Sequence, residues 1–366
     1  MRRETYLEVD LNNFEDNLIN TVKYANPKEV LPIIKANAYG IGVQSIIDIL
    51  NRNNINLVCV ALVSEGIELK KYGYKGKILI LNPCLTDELE DVVKYELVLG
   101  SCDENEIIKL NEIAKENNKI LDIHLEIEAG IHRPGIAISN LQQYLDVCSN
   151  LKNININGIY TYFVGNEKDK KYIQYQLDTL KDAIKILDNN NIKPKHIHMA
   201  NLNIISDIQT ENCITAIRIG MDLYGHNPIQ GLQKDIQMKP VSKLVSCVSF
   251  LKEIDKDTSV GYGRLHIAKE KEKIATIPIG YADGYSRNLS NKGKVVINNQ
   301  VCNLVGSVCM DSILIDVTKL DNVKVGDKVY IWDNDKITVN DIAKLSNTID
   351  YETISRISPR VERKYV

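Results

Sequence analysis

Val30-Leu31-Pro32-Ile33-Ile34-Lys35-Ala36-Asn37-Ala38-Tyr39-Gly40 runs from an apolar strand into a lysine and then into a turn that ends on glycine. An ammonium group at the end of such a strand is costly to bury as a cation, and burial lowers its pKa toward the range in which the free amine attacks a carbonyl. That is how a Schiff-base lysine is made. A lone lysine at a strand end is more often one whose head simply reaches solvent. The surroundings of the strand decide between the two.

Seven more apolar runs of strand length follow, over 57–61, 77–81, 96–99, 120–126, 156–163, 196–200 and 216–219; the first run covers 30–34. Around them, apolar residues recur every three to four positions over 12–23, 43–51, 103–116, 141–150 and 170–188, which predicts amphipathic helices. Eight alternations of buried strand and helix predict an α/β fold in which residues 11–227 form an N-terminal (β/α)8 TIM-like barrel, with functional groups at the C-terminal strand ends. Lys35 closes the first of these strands. A doubly wound sheet is the alternative, and the count of eight favours closure. Beyond residue 227, short β-branched runs separated by Gly, Asn and Asp predict a C-terminal all-β domain over 228–366. The strand-like piece at 6–9 precedes the barrel. It either pairs into the barrel or belongs, as residues 1–10, with the β domain.

The chain has 366 residues, 44% of them hydrophobic, enough for a barrel and a second core. A net charge of -3 with lysines interspersed among acids provides no basic field for nucleic acid or an anionic membrane, so a small-molecule ligand is expected. Eight scattered cysteines without a CxxC pair read as reduced thiols of a cytoplasmic protein. Arg2 and Arg3 are followed by no apolar segment of signal-peptide type, and no run of membrane-spanning length follows.

Four barrel segments put polar groups at strand ends: Lys35 and Tyr39 at the first, Glu126, Glu128 and Arg133 at the fifth, His198 and Asn201 at the seventh, and Arg218 with Gly220 and Met221 at the eighth. A strand-end Ile-Gly-Met turn can aim successive N–H groups at a phosphate. Phosphate together with a Schiff-base lysine implies pyridoxal 5'-phosphate. Singly, these signals are weak. His198 alone reads as a satisfied core histidine and Asp283-Gly284 as a turn, while His196 and His198 on one strand face leave open a metal-dependent hydrolase. No further ligands stand at matching strand ends, and no metal is expected.

Taken in order, Lys35-Ala36-Asn37-Ala38-Tyr39-Gly40, Ala129-Gly130-Ile131-His132-Arg133-Pro134-Gly135, His198-Met199-Ala200-Asn201, Arg218-Ile219-Gly220, Gly280-Tyr281-Ala282-Asp283-Gly284-Tyr285, Cys309-Met310-Asp311 and Tyr351-Glu352 resemble the alanine racemase family across nearly the whole chain. The resemblance implies a pyridoxal-phosphate enzyme that racemises a small amino acid, L-alanine to D-alanine, as a head-to-tail homodimer whose sites each borrow residues from the partner. It implies that Lys35 carries the cofactor and serves one face of the substrate Cα, while the partner subunit's Tyr281 serves the other. Two bases are needed because a single one returns the proton to the side it came from. A phenol must be tuned downward by neighbouring cations for this task.

Arg218 is implied to face the pyridine nitrogen, held by His198. Tyr39, Tyr351 and the Gly220 and Met221 amides are implied to hold the phosphate, with Asn201 and Tyr162 also contacting the cofactor. Arg133 and the partner subunit's Met310 are implied to hold the substrate carboxylate, which leaves the Cα–H bond roughly perpendicular to the cofactor plane and favours proton loss over decarboxylation.

Three positions depart from the family pattern. Glu126 stands where many members carry a lysine that becomes carbamylated, and is expected to supply the same negative charge and orient Arg133. Tyr162 replaces a histidine that stacks on the cofactor ring; a phenol stacks but cannot be a cation. Leu202 replaces a serine that donates to the phosphate. These departures leave two other expectations, a racemase of serine or another amino acid and a weakly active cofactor-binding protein. The retained β domain and Tyr281 argue against the second.

Overall fold

In the computed structural model, which describes residues 4–164, 169–200, 211–226 and 237–366, strand β1 (Tyr6–Val9) and helix α1 (Leu11–Ala25) precede a run of eight strands. These are β2 (Glu29–Pro32), β3 (Leu57–Val60), β4 (Lys77–Ile80), β5 (Val98–Ser101), β6 (Leu121–Glu126), β7 (Ile154–Thr161), β8 (His196–Ala200) and β9 (Ala216–Ile219). They hydrogen-bond as one parallel sheet in the order β2-β9-β8-β7-β6-β5-β4-β3. The outer pair is drawn together by a bridge between Ile33 and Cys59, with the Ile34 N–H donating to the Cys59 carbonyl at 2.9 Å, so the sheet curls into a nearly closed barrel. Strands such as Leu57–Val60 are buried along their whole length, as continuous apolar runs in a covered parallel sheet require. Helices α2 (Ile47–Arg52), α3 (Val63–Lys71), α4 (Leu89–Tyr95), α5 (Glu104–Glu116), α6 (Leu141–Cys148) and α7 (Lys170–Asn189) alternate with them.

Helix α1 shows how the two parts are joined. Asp10 caps it by accepting from the Asn13 N–H at 2.9 Å, and Phe14, Leu18 and Ala25 bury its inner stripe. Among these apolar groups sits the buried amide of Asn17, which donates to Leu223 O at 2.9 Å and Lys239 O at 2.8 Å. It thereby ties the end of the barrel to the entry of the second domain.

That domain is β-rich, with β10 (Ser242–Cys247), β11 (Phe250–Ile254), β12 (Ser259–Val260), β13 (His266–Ile267), β14 (Glu272–Ile277), β15 (Lys294–Ile297), β16 (Gln300–Asn303), β17 (Ile313–Asp316), β18 (Lys328–Trp332) and β19 (Glu362–Tyr365). A six-stranded sheet runs β16-β15-β18-β10-β1-β19, beside a three-stranded sheet β11-β14-β17 and the pair β12-β13. Strand β1 therefore pairs outside the barrel, antiparallel to β10 and parallel to β19.

Two short helices, α8 (Val339–Ser346) and α9 (Asp350–Ser355), interrupt a region whose sequence texture suggested strands alone. The first is nucleated by a capping box in which the Asp341 N–H donates to Thr338 Oγ1 at 3.1 Å and the Thr338 N–H donates to Asp341 Oδ2 at 2.9 Å. The second packs on the segment after Lys35. Gly40 there has φ +89°, and a Cβ on it would stand 2.8 Å from the Ile354 carbonyl oxygen, so only glycine permits this approach. Among the described residues no helix is long and apolar enough to cross a membrane.

Candidate active site

Just beyond β2, Lys35 opens a turn in which Ala36, Asn37, Ala38 and Tyr39 all have φ between 52° and 56°. Each such residue costs about 1–2 kcal/mol in the left-handed region, so four in succession need outside support. The Ala36 N–H donates to Glu65 Oε1 at 2.6 Å, and the Val43 N–H donates to Asn37 Oδ1 at 2.8 Å. Glu65 Oε2 in turn accepts from the N–H groups of Ala61 (2.8 Å) and Leu62 (3.1 Å), which locks the turn to the start of α3. The Lys35 amine is pushed below its ordinary range, first by burial and then by the charge of Arg133, with Glu65 pulling the other way.

Arg218 lies wholly buried on β9. Its Nη1 donates to His198 Nδ1 at 2.8 Å and its Nη2 to the Thr161 carbonyl at 2.8 Å. A guanidinium only donates, so His198 Nδ1 is the accepting nitrogen and the imidazole proton sits on Nε2. That nitrogen meets His124 Nδ1 at 2.9 Å, and the same logic puts the His124 proton on its own Nε2. Burial and the neighbouring Arg218 charge hold both imidazoles well below their usual pKa, in agreement with two neutral rings. Both nitrogens of His198 are thus engaged within the protein, which argues against a metal-ligand role. Arg218 Nε is buried without a hydrogen-bond partner, a donor left over for an incoming acceptor.

Tyr162 lies beside this group, its ring centroid 4.5 Å from the Arg218 guanidinium carbon and 4.6 Å from that of Arg133. The stacking on a cofactor ring that the resemblance implies for Tyr162 must share this π cloud with two cations. Glu126, expected to orient Arg133, instead accepts a hydrogen bond from the Tyr160 hydroxyl at 3.0 Å, and its carboxyl feels Arg218 and Arg133 as nearby charges.

At the other end of the group, Tyr39 is buried with its ring 4.8 Å from Tyr224 and 6.0 Å from Tyr351, which α9 delivers. Burial pushes the phenols of Tyr39 and Tyr351 up, so both remain hydroxyl donors. Gly220 faces the Tyr39 hydroxyl, and a Cβ at 220 would come within 2.5 Å of it. The short turn Met221–Tyr224 starts here, where the first amides have no carbonyl of their own turn to bond. Asn201 and Leu202 lie outside the described residues.

Tyr281 and Met310 lie in the β domain. With Tyr262, Arg287, Cys309 and Asp311 they line an open depression of about 550 Å³. The Tyr281 N–H donates to Cys309 O and the Ala282 N–H to Met310 O, both at 3.0 Å, and Arg360 Nη2 donates to Asp311 at 2.7 Å. Tyr262 is a residue that sequence reasoning passed over. It stands between Gly261 and Gly263, both at φ 72°, and Ser307 Oγ donates to its carbonyl at 2.7 Å. Its side chain is 77% exposed, against 42% for Tyr281. The available signal was an aromatic residue between two glycines in an otherwise β-type stretch.

A family profile described as "Alanine racemase, N-terminal domain" matches residues 9–228, and its companion "Alanine racemase, C-terminal domain" matches residues 241–365. The chain belongs to the alanine racemase family. It is therefore a pyridoxal-phosphate-dependent amino-acid racemase by descent. The alanine racemase of Clostridium perfringens (strain SM101) is 35% identical over 99% of this chain and 95% of that protein. A solved alanine racemase from Clostridium difficile 630 has a TM-score of 0.93 at 31% identity, covering 100% of this chain and 96% of the other. A Bartonella henselae alanine racemase solved with covalently bound pyridoxal phosphate has a TM-score of 0.89 at 25% identity, covering 99% of each chain.

The residues present in this chain fit that cofactor. Arg218 Nε offers an unused buried donor to a ring nitrogen, Lys35 offers a depressed amine to an aldehyde, and the Tyr39 hydroxyl over Gly220 offers an open cradle to a phosphate.

Proposed function

We propose that this protein interconverts L- and D-alanine with pyridoxal phosphate held by Lys35. We propose further that it works as a cytoplasmic head-to-tail homodimer in which the β domain of one protomer completes the barrel site of the other. The observation that carries the proposal is the buried, unpartnered Nε of Arg218 in a barrel whose first strand ends on a pKa-depressed lysine. The names of the full-length relatives support alanine as the substrate.

When bound, pyridoxal phosphate withdraws electron density from the substrate Cα and so makes its hydrogen removable. Lys35, with its cationic form disfavoured, takes or returns a proton on one face of that carbon. Arg133 receives the substrate carboxylate as a two-pronged donor. Arg218 presents a permanent donor that cannot pass a proton to a ring nitrogen, which tempers the electron withdrawal and disfavours side reactions. His198 and His124 keep that arginine aimed. Tyr39, Tyr351 and the amides of Gly220 and Met221 hold the phosphate.

On the opposite face a phenol of the partner subunit acts. The sequence resemblance names Tyr281. The geometry supports the neighbouring Tyr262 more strongly, because it is the more exposed of the two and stands on a turn braced by Ser307, while the Tyr281 backbone is bonded into the loop that carries Met310. In this assignment Tyr281 and Met310 form the wall beside the carboxylate.

The test is an absorbance spectrum of the purified protein with added pyridoxal phosphate, followed by racemisation assays over alanine, serine, lysine and ornithine. A cofactor band absent from Lys35→Ala, with alanine turned over fastest, is the expected result. A different preferred amino acid would tie Glu126, Tyr162 and Leu202 to a changed pocket, and bound cofactor without turnover would overturn the enzymatic assignment.

A further inference from the structure

Glu126 was the expected anchor of Arg133, yet the residue is 2% exposed and takes a hydrogen bond from Tyr160, whereas Arg133 is exposed. What Arg133 does contact is the face of Tyr162, at 4.6 Å from guanidinium carbon to ring centroid. The same ring lies 4.5 Å from the guanidinium of Arg218, and Arg218 is itself fixed by its bonds to His198 and Thr161.

Resting on the proposed racemase function, we propose that Tyr162 is the positioning residue for Arg133, its ring serving as a platform that sets the carboxylate-binding guanidinium at a fixed place relative to Arg218.

The physical basis is the ring quadrupole, whose negative face attracts a guanidinium and holds it flat, so that its forked N–H edge points away from the ring. A flexible arginine otherwise samples many rotamers, and holding it in one of them lowers the cost of ordering it when a carboxylate arrives. Arg218 marks where a cofactor nitrogen belongs, so a ring shared by both arginines relates the substrate carboxylate to the cofactor plane. This relation decides which bond at Cα stands perpendicular to that plane. The role belongs to the aromatic face and makes no use of the hydroxyl.

Tyr162→Phe and Tyr162→Leu separate the platform from the hydroxyl. In the cofactor-loaded enzyme, Tyr162→Leu should raise KM for alanine by about 5- to 30-fold with a smaller change in kcat, while Tyr162→Phe, which keeps the ring, should raise it clearly less. An independent readout is the Arg133 Nε–H resonance of 15N-labelled, cofactor-free protein, assigned with Arg133→Lys. It should be shifted upfield by the ring current in the parent and in Tyr162→Phe, and return to the ordinary arginine position in Tyr162→Leu. An unshifted resonance in the parent, an unchanged KM in Tyr162→Leu, or an equal rise in both variants would overturn the proposal. Absence of turnover in the parent protein would instead strike the racemase function, and the resonance would still decide whether the platform exists.

Discussion

Glu126 keeps its carboxyl buried under Tyr160, and burial pushes its pKa up to about 7 despite the hydrogen bond and the two arginine charges that pull it down. In the unfolded chain the same group ionises near 4.5. Between these values the folded protein holds a proton that the unfolded chain has lost, so stability falls as pH rises from about 4.5 to about 7 and levels off above it. The full excursion is about 3 kcal/mol as an order of magnitude. Glu126→Gln cannot ionise, so the melting temperature of the parent, measured at fixed concentration, should fall relative to the variant between pH 5 and pH 8. A difference independent of pH would mean that the Glu126 carboxylate is already charged throughout. The chemistry of this position was only partly legible from the chain. A glutamate at a barrel strand end announces a charge in the site, but nothing in Leu125-Glu126-Ile127 says that Tyr160, on the next strand, is its donor.

The turn after Lys35 rests on one carboxylate. Glu65 accepts from three backbone amides, on Ala36, Ala61 and Leu62, and two of these belong to a different strand-to-helix connection. Glu65→Ala should cost about 1–3 kcal/mol in urea unfolding and, by removing an anion that raises the Lys35 pKa, lower the pKa of its amine further. Stability and Lys35 titration both unchanged would show the turn to be held elsewhere. Barrel strands such as Leu57–Val60 were readable because they are apolar runs buried on both faces, a pattern that does not depend on which neighbour covers it. The left-handed turn was not, since Ala36, Ala38 and Tyr39 carry no local preference for positive φ, and the groups that hold the turn, Glu65 and the Asn37 side chain bonded to Val43, act across the fold or around the loop. Strand β19 was missed because Glu362-Arg363-Lys364-Tyr365 is polar and is a strand only by pairing with β1. Helix α8 did leave a signal, the Thr338 to Asp341 capping box, in a stretch whose other residues suggested strands.

At the scale of the whole molecule, the residues proposed for catalysis are divided between two surfaces, the barrel mouth with Lys35 and the β-domain depression with Tyr262, Tyr281 and Met310. If these meet across two protomers, Lys35→Ala and Tyr262→Phe, each inactive alone, should regain part of the parent activity when mixed and reassociated, because one site of each hybrid dimer is intact. Tyr262→Phe alone should lose about 10²- to 10⁴-fold in kcat, and Tyr281→Phe much less. No recovery despite demonstrated subunit exchange would refute the shared site, and the reverse order of effects would return the proton-transfer role to Tyr281. The position of β1 between β10 and β19 bears on how such a protomer is made. During synthesis this strand leaves the ribosome before the barrel does, yet both of its neighbours come after it. The parallel pairing of β1 with Glu362–Tyr365 cannot form until that late segment has been made, and it closes a loop of more than three hundred residues, a contact of very high sequence separation.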